Sequence, residues 1–357
     1  MTNAESFRLF ETPTIKTTVM ASGRGLQPID VDTIRPILSA EVYIVLIAVL
    51  SYAIFAAAMI GIVSNILVIV TCSKIGFSET INISYLALGI SDLMASIIRF
   101  WGAICFDFDA TNSRLPFDPS SISITTSFFP GQGFEKITAF ITAFIALERC
   151  LCVQFPLHVK RIVTKRKTIF AIVMIFLFGF GPSNLSHIGF PFKWVFSSAQ
   201  NRTILAVVPF ETPLRYIISR GLLLYYATIL HSIALLIVWV CTIFLAVGLK
   251  KIAMTKKEYF KRSISKEDKQ KELRVIKTVF LLAITYLACS TPTAVTLLVP
   301  HFEPEFTPIK GLRRINLVSL FSSALLTQLN SSANLFILLY VGSKYRQVFL
   351  ALFGIKV

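Results

Sequence analysis

Long stretches of this 357-residue chain carry no charge at all. None lies between Glu41 and Lys74, between Lys167 and Lys193, or between Arg220 and Lys250. The same holds from Lys277 to Glu303 and from Arg314 to Lys344. From Thr80 to Ile98 the only charge is Asp92, and from Thr125 to Val153 there are Glu135, Lys136, Glu148 and Arg149. A bilayer core of about 30 Å takes roughly 20 residues of helix. Seven such stretches predict an all-α membrane protein, a seven-transmembrane-helix bundle. With 55% hydrophobic residues, a soluble domain would have nowhere to put its apolar surface.

Acidic residues are scarce: 19 against 35 basic, a net charge of +16. The distribution of the excess argues against nucleic acid as the partner. Lys74, the run Lys160, Arg161, Lys165, Arg166 and Lys167, eleven residues from Lys250 to Lys277, and Lys344, Arg346 and Lys356 fall on one side of the spans. That is twenty basic residues against twelve on the other side. The positive-inside bias makes the first side cytoplasmic, so the N-terminus is expected outside and the C-terminus inside, at the cell membrane. Basic residues beside a bilayer also favour anionic lipid headgroups.

Outer cysteines are missing as well. Of Cys72, Cys105, Cys150, Cys152, Cys241 and Cys289, Cys105 alone falls near the outer face, so no exposed disulfide is expected. Residues 1–41 hold no run like a cleavable signal peptide; they are polar, with Pro13, Pro28 and Pro36, and are expected to be a disordered extracellular segment. Residues 42–341 form the expected membrane domain. Within 342–357, Tyr345, Val348, Phe349 and Leu352 share one helical face, which predicts a short amphipathic eighth helix on the inner leaflet. In the loop 187–219, Asn201-Arg202-Thr203 is a glycosylation acceptor on the permissive side. An enzyme is not expected: His158, His187, His231 and His301 are scattered, with no nucleophile–base or metal-ligand cluster.

Polar residues inside membrane helices cost free energy and tend to mark function. Asp92, Asn65, Thr138, Asn330 and Asn334 fall at comparable depths, and Asn330 and Asn334, four apart, share a face. A carboxylate ringed by amides and hydroxyls suits a small hard cation, a rearranging polar network, or static packing. Glu148-Arg149 sits at the inner end of the third span. A guanidinium there can hold a carboxylate on a neighbouring helix, with Glu272 as candidate, or release it to meet a partner.

These residues make the chain resemble a rhodopsin-like (class A) G-protein-coupled receptor over about residues 43–353. Gly61-x-x-x-Asn65 resembles the family's first-helix motif and Leu88-Gly89-Ile90-Ser91-Asp92-Leu93 its second. Glu148-Arg149-Cys150 with Pro156-Leu157 resembles the acidic-Arg-Tyr motif and the loop after it. Cys289-Ser290-Thr291-Pro292 resembles the sixth-helix Cys-Trp-x-Pro, Asn334-Leu335-Phe336-Ile337-Leu338 the seventh-helix Asn-Pro-x-x-Tyr, and Lys344-Tyr345-Arg346 the start of the eighth helix. The resemblance implies that Arg149 engages a heterotrimeric G protein once helix six swings outward about Pro292. It also implies a resting-state sodium pocket from Asp92, Thr138, Asn330 and Asn334. The chain departs from the family in several places. Ile124 stands where the outer cysteine of helix three would be, Ser290 replaces the toggle tryptophan, and Leu335 and Leu338 replace the seventh-helix Pro and Tyr. Such losses are similar to those of divergent invertebrate chemosensory receptors or orphan peptide receptors. The phrases Glu148-Arg149-Cys150-Leu151-Cys152-Val153 and Gly342-Ser343-Lys344-Tyr345-Arg346 point to the molluscan kind.

Glu135 and Lys136 lie roughly 20 Å above Arg149 along the third span, and Arg99 sits two turns outward of Asp92. Charges at that depth must pair or face water. They form either a ligand pocket, with Tyr225, Tyr226, His231 and Ser290, or an Arg99–Glu135 ion pair standing in for the absent disulfide. Gly131 occupies the place of the amine-receptor aspartate, which favours a peptide, amino acid or other polar small molecule. The competing class is a transporter or channel using Asp92, Glu135 and Lys136, against which the odd span number and lack of internal repeats count.

Overall fold

The computed structural model describes residues 38–111, 115–155, 163–185, 190–197, 201–207, 228–254, 266–306 and 311–355, with isolated positions between 214 and 221. The expected N-terminal segment therefore lies outside the described residues as far as residue 37. Eight helices carry the fold described here: α1 (Ala40–Ile75), α2 (Thr80–Thr111), α3 (Phe129–Gln154), α4 (Lys165–Leu185), α5 (His231–Met254), α6 (Lys266–Phe302), α7 (Arg313–Val341) and α8 (Ser343–Leu352). Six of them, α1 to α3 and α5 to α7, are long and apolar enough to cross a membrane among the described residues. Helix α4, 21 residues long, spans about 30 Å and packs against α3.

Local signals fix the ends. Ser39 caps α1, its Oγ accepting from the Val42 N–H at 3.3 Å, and Glu41 sits in the first turn, where the helix dipole favours an anion. The helix stops at Gly76, whose φ of 83° is open to glycine, and the Gly76 N–H closes the last turn on the Cys72 carbonyl at 3.2 Å. Helix α6 runs through Pro292 and Pro300, each of which lacks the N–H an interior helical residue would donate.

The packing is inverted relative to a water-soluble bundle. On α1 the exposed positions include Val45, Val49 and Val63, while Ser64, Asn65 and Thr71 are buried. Helix α4 displays Phe170, Leu177 and Phe178. Apolar side chains outward and polar ones inward is the arrangement that lipid selects. Helix α3 is the hub and touches α2, α4, α5 and α6, while α1 leans on α2 and α7. At Gly61 an added Cβ would strike Gln328 and Ser96, so α1 approaches α7 and α2 there as closely as backbone allows.

The expectation of an all-α protein needs one correction. Strand β1 (Phe192–Ser197) pairs antiparallel with β2 (Arg202–Val207), with Ser197 opposite Arg202, so the chain is mostly helical with a hairpin in the 187–219 loop. The aromatic and β-branched runs Phe-Lys-Trp-Val-Phe and Thr-Ile-Leu-Ala-Val suit a strand pair. Asn201, at φ 49°, takes the left-handed turn position that asparagine tolerates. The hairpin is stitched to the segment leading into α3. The Asp118 N–H donates to the Leu205 carbonyl at 2.8 Å, and the Leu205 N–H donates to the Pro116 carbonyl at 2.9 Å. Arg202 also donates to the Leu115 carbonyl, and the Val207 N–H donates to Ser121 Oγ at 3.0 Å. None of the six cysteines is in a disulfide. The chain then passes through a short helix, Pro119–Ser123, and a π-helical turn, Ile124–Phe128, into α3.

At the other end α8 turns Tyr345 inward against the core, with Val348, Phe349 and Leu352 partly covered and Lys344, Arg346 and Gln347 exposed. Arg274 of α6 donates to Ser343 Oγ at its start. Burial pushes the Tyr345 hydroxyl above its ordinary pKa, so it stays protonated.

Candidate functional site

Three polar layers stack through the bundle. The middle one centres on Asp92 of α2, which is 1% exposed. Thr138 of α3 donates to Asp92 Oδ1 at 2.7 Å, and Asn334 of α7 donates to Oδ2 at 2.6 Å. Ser91 lies 2.9 Å from the Thr138 hydroxyl and donates to the Phe134 carbonyl at 3.1 Å, which fixes the rotamer of Thr138. The network extends to α1 through Asn65, whose Nδ2 donates to the Gly61 carbonyl at 2.9 Å and to the Ser331 carbonyl at 3.3 Å. Ser96 donates to the Asp92 carbonyl at 2.8 Å and accepts from Gln328 Nε2 at 2.9 Å. Asn330 is buried on α7, and the contact from its turn comes from Ser331, whose hydroxyl donates to the Asp92 carbonyl at 3.4 Å. One carboxylate, two hydroxyls and amide oxygens form a donor set that fits a small hard cation, and Asn65 Oδ1 is a buried oxygen without a partner in the same network.

The layer above joins α2, α3 and α7. Arg99 and Glu135 form an ion pair, Arg99 also donates to Thr327 Oγ1 at 2.8 Å, and the Thr327 hydroxyl donates to Glu135 Oε1 at 3.4 Å. Lys136, the next residue, points elsewhere: it is 0% exposed, and its Nζ donates to Gln132 Oε1 at 3.1 Å. Across from it, His231 is buried on α5 with Nε2 3.5 Å from the Ser290 carbonyl of α6 and with Nδ1 lacking a partner. Of the expected pocket residues the structure pairs Arg99 with Glu135, sets His231 against the Ser290 carbonyl, and turns Lys136 to Gln132. Tyr225 and Tyr226 lie outside the described residues.

The lowest layer is at the C-terminal end of α3. Arg149 donates to Glu148 Oε1 at 2.8 Å, and Thr80, at the first turn of α2, donates to the same oxygen. Glu148 is buried and keeps Oε2 unpartnered, as is Arg149 Nε. Glu272 falls within α6, but its side chain is not among those described. Asn201 is exposed at the hairpin turn. Sequence reasoning missed Thr80, Thr327, Gln328 and Ser331, since hydroxyls and amides in apolar helices look alike whether they serve a site or a helix seam.

A buried carboxylate, an ion pair above it and the Arg149–Glu148 contact below it thus stack along the bundle. Comparison with curated proteins gives no match. A family model, Serpentine type 7TM GPCR chemoreceptor Srw, matches residues 52–356. That span takes in all three polar layers and α8, and the chain belongs to the Srw family of serpentine 7TM GPCR chemoreceptors, a multi-pass membrane receptor.

Proposed function

We propose that this receptor binds an extracellular chemosensory cue or peptide and activates a heterotrimeric G protein through outward motion of α6. The observation that carries this is the family match across residues 52–356, and the inner layer supports it. The guanidinium of Arg149 is held by its own neighbour Glu148 on α3, a contact that can be exchanged without unfolding that helix. Glu272, at the inner end of α6, is the alternative carboxylate, and Pro292 is the pivot. Ligand and G protein both prefer the α6-out state, so each strengthens the other.

The same reading has seven crossings with α4 as the fourth, the N-terminus outside and the basic connections in the cytosol. Helix α8 lies on the inner leaflet, and Asn201 is glycosylated at the tip of the outer hairpin. Asp92, Thr138 and Asn334, with Asn330 beside them, would hold a sodium ion that favours the resting state, its charge balancing the buried carboxylate. The ligand pocket comprises Arg99, Glu135, Lys136, His231 and Ser290, joined by Tyr225 and Tyr226. The rhodopsin-like class and the molluscan affinity rest on the motif phrases of the sequence.

Arg149→Ala tests the signalling reading. Agonist-dependent nucleotide exchange on the G protein is expected to vanish while ligand binding stays within a few-fold. Full exchange in a surface-expressed variant would sink the assignment.

A further inference from the structure

Among the described residues, Lys136 is a buried cation without an anion of its own. It is 0% exposed in the middle of a membrane span, and its Nζ donates to a neutral amide, Gln132 Oε1, at 3.1 Å. The adjacent carboxylate does not serve it, because Glu135 Oε1 is taken by Arg99 and Thr327 on another face of α3. Arg99 is the charge that acts on Lys136, and it repels. Asp92, one layer down, is engaged by Thr138 and Asn334. With Arg99 and Glu135 cancelling, a protonated Lys136 leaves this layer one positive charge in excess, the Asp92 carboxylate one layer down aside.

An ammonium taken out of water costs several kcal/mol unless it is paired. One amide oxygen satisfies one of its three donors. A second orphan lies nearby: His231 Nδ1, on a ring 2% exposed, has no partner and is within electrostatic reach of Lys136. If that nitrogen carries the proton, two donors from α3 and α5 are short of an acceptor in the same place. The elements that hold them, α3, α5 and α6, pack on one another, so a group bridging Lys136 and His231 would touch α6 through the turn of Ser290. Such a site calls for a small anion rich in acceptors and poor in donors, which describes a carboxylate.

We propose that Lys136, with His231 beside it, is the counter-charge for a carboxylate group on the receptor's ligand, seated where α3, α5 and α6 meet. This rests on the receptor reading above and sharpens it by naming the chemical class: acids rather than amines. Anchoring an anion between α3 and α5 against α6 also gives the ligand a differential grip on the helix whose motion the signal requires.

The test uses the full chain in phosphatidylcholine nanodiscs with isethionate as background anion, and reads the thermal unfolding midpoint. The probes are sodium butyrate, butanol, butylamine and, separately, sodium chloride. Butyrate is expected to raise the midpoint saturably by roughly 2 °C or more, while butanol and butylamine leave it unchanged. Lys136→Met should abolish the rise and Lys136→Arg should keep part of it. Without any probe, Lys136→Met should unfold at or above the wild-type midpoint, because an uncompensated buried charge has been removed. A chloride response lost in the same variant alongside butyrate's supports the anion site. Chloride acting while butyrate does not would overturn the proposal. So would a butyrate effect that survives Lys136→Met, an equal effect of butanol, no butyrate effect at all, or a Lys136→Met protein less stable than wild type. None of these readings passes through a G protein, so their failure leaves the signalling proposal standing. Loss of exchange with anion binding intact would sink signalling alone.

Discussion

Helix α3 carries two acid–base neighbours, Glu135-Lys136 and Glu148-Arg149, and the structure wires them in opposite ways. At the inner end the pair closes on itself, Arg149 to Glu148, with Thr80 of α2 supporting the carboxylate. At the outer level Glu135 reaches across to Arg99 and Thr327 and leaves Lys136 to face α5. Side chains at i and i+1 on a helix point about 100° apart, so one member of such a pair is free to serve another helix. The self-closed pair lies within one helix, so no helix has to move for Arg149 to let go, and Thr80 would then remain the partner of the buried Glu148 carboxylate. The cross-helix pair is a clamp: opening it parts α2 from a carboxylate that is 12% exposed. One helix thus holds a cross-helix joint at one level and a contact within itself at the other.

The largest expected effect comes from cutting the clamp. Arg99→Ala leaves the largely covered Glu135 carboxylate without a counter-charge from α2, and the unfolding free energy should fall by about 3 kcal/mol. The double change Arg99→Met with Glu135→Leu should recover most of that, because no orphaned charge remains. A double variant as unstable as Arg99→Ala would mean the pair is not what joins α2 to α3. Next is the seam beside the clamp. Gly61→Ala would push a methyl group into Gln328 and Ser96, so about 1–3 kcal/mol of destabilisation is expected in a thermal melt. A variant as stable as wild type would show that α1 is free to move away from α7. The smallest effect belongs to the layer between the two pairs. Replacing sodium with a bulky organic cation should lower the wild-type midpoint modestly and leave Asp92→Asn unchanged. Equal responses of the two proteins would remove the cation from that network.

The spans were legible because lipid imposes a compositional rule: runs such as 42–73 cannot be anything but buried or lipid-facing, whatever their neighbours. The meeting of Asp92, Thr138 and Asn334 was legible for a related reason, since polar side chains at one depth have few places to go. The direction of Lys136 was not legible. Its rotation relative to Glu135 depends on where α2 and α5 stand, which no local pattern states. Thr327 and Thr80 escaped because a threonine in an apolar helix usually bonds its own backbone, as Thr242 does to the Val238 carbonyl at 2.7 Å. The hairpin was read as loop because its strands are short and the segment containing them is bounded by apolar residues on both sides.

That hairpin has a practical consequence for the environments this protein can sample. Backbone amides and one arginine, rather than a sulfur–sulfur bond, tie it to the threshold of α3. Thiols in the surrounding fluid have nothing there to cut. A hairpin tied in this manner holds alike in reducing and oxidising surroundings, and would give way first to heat or chaotropes.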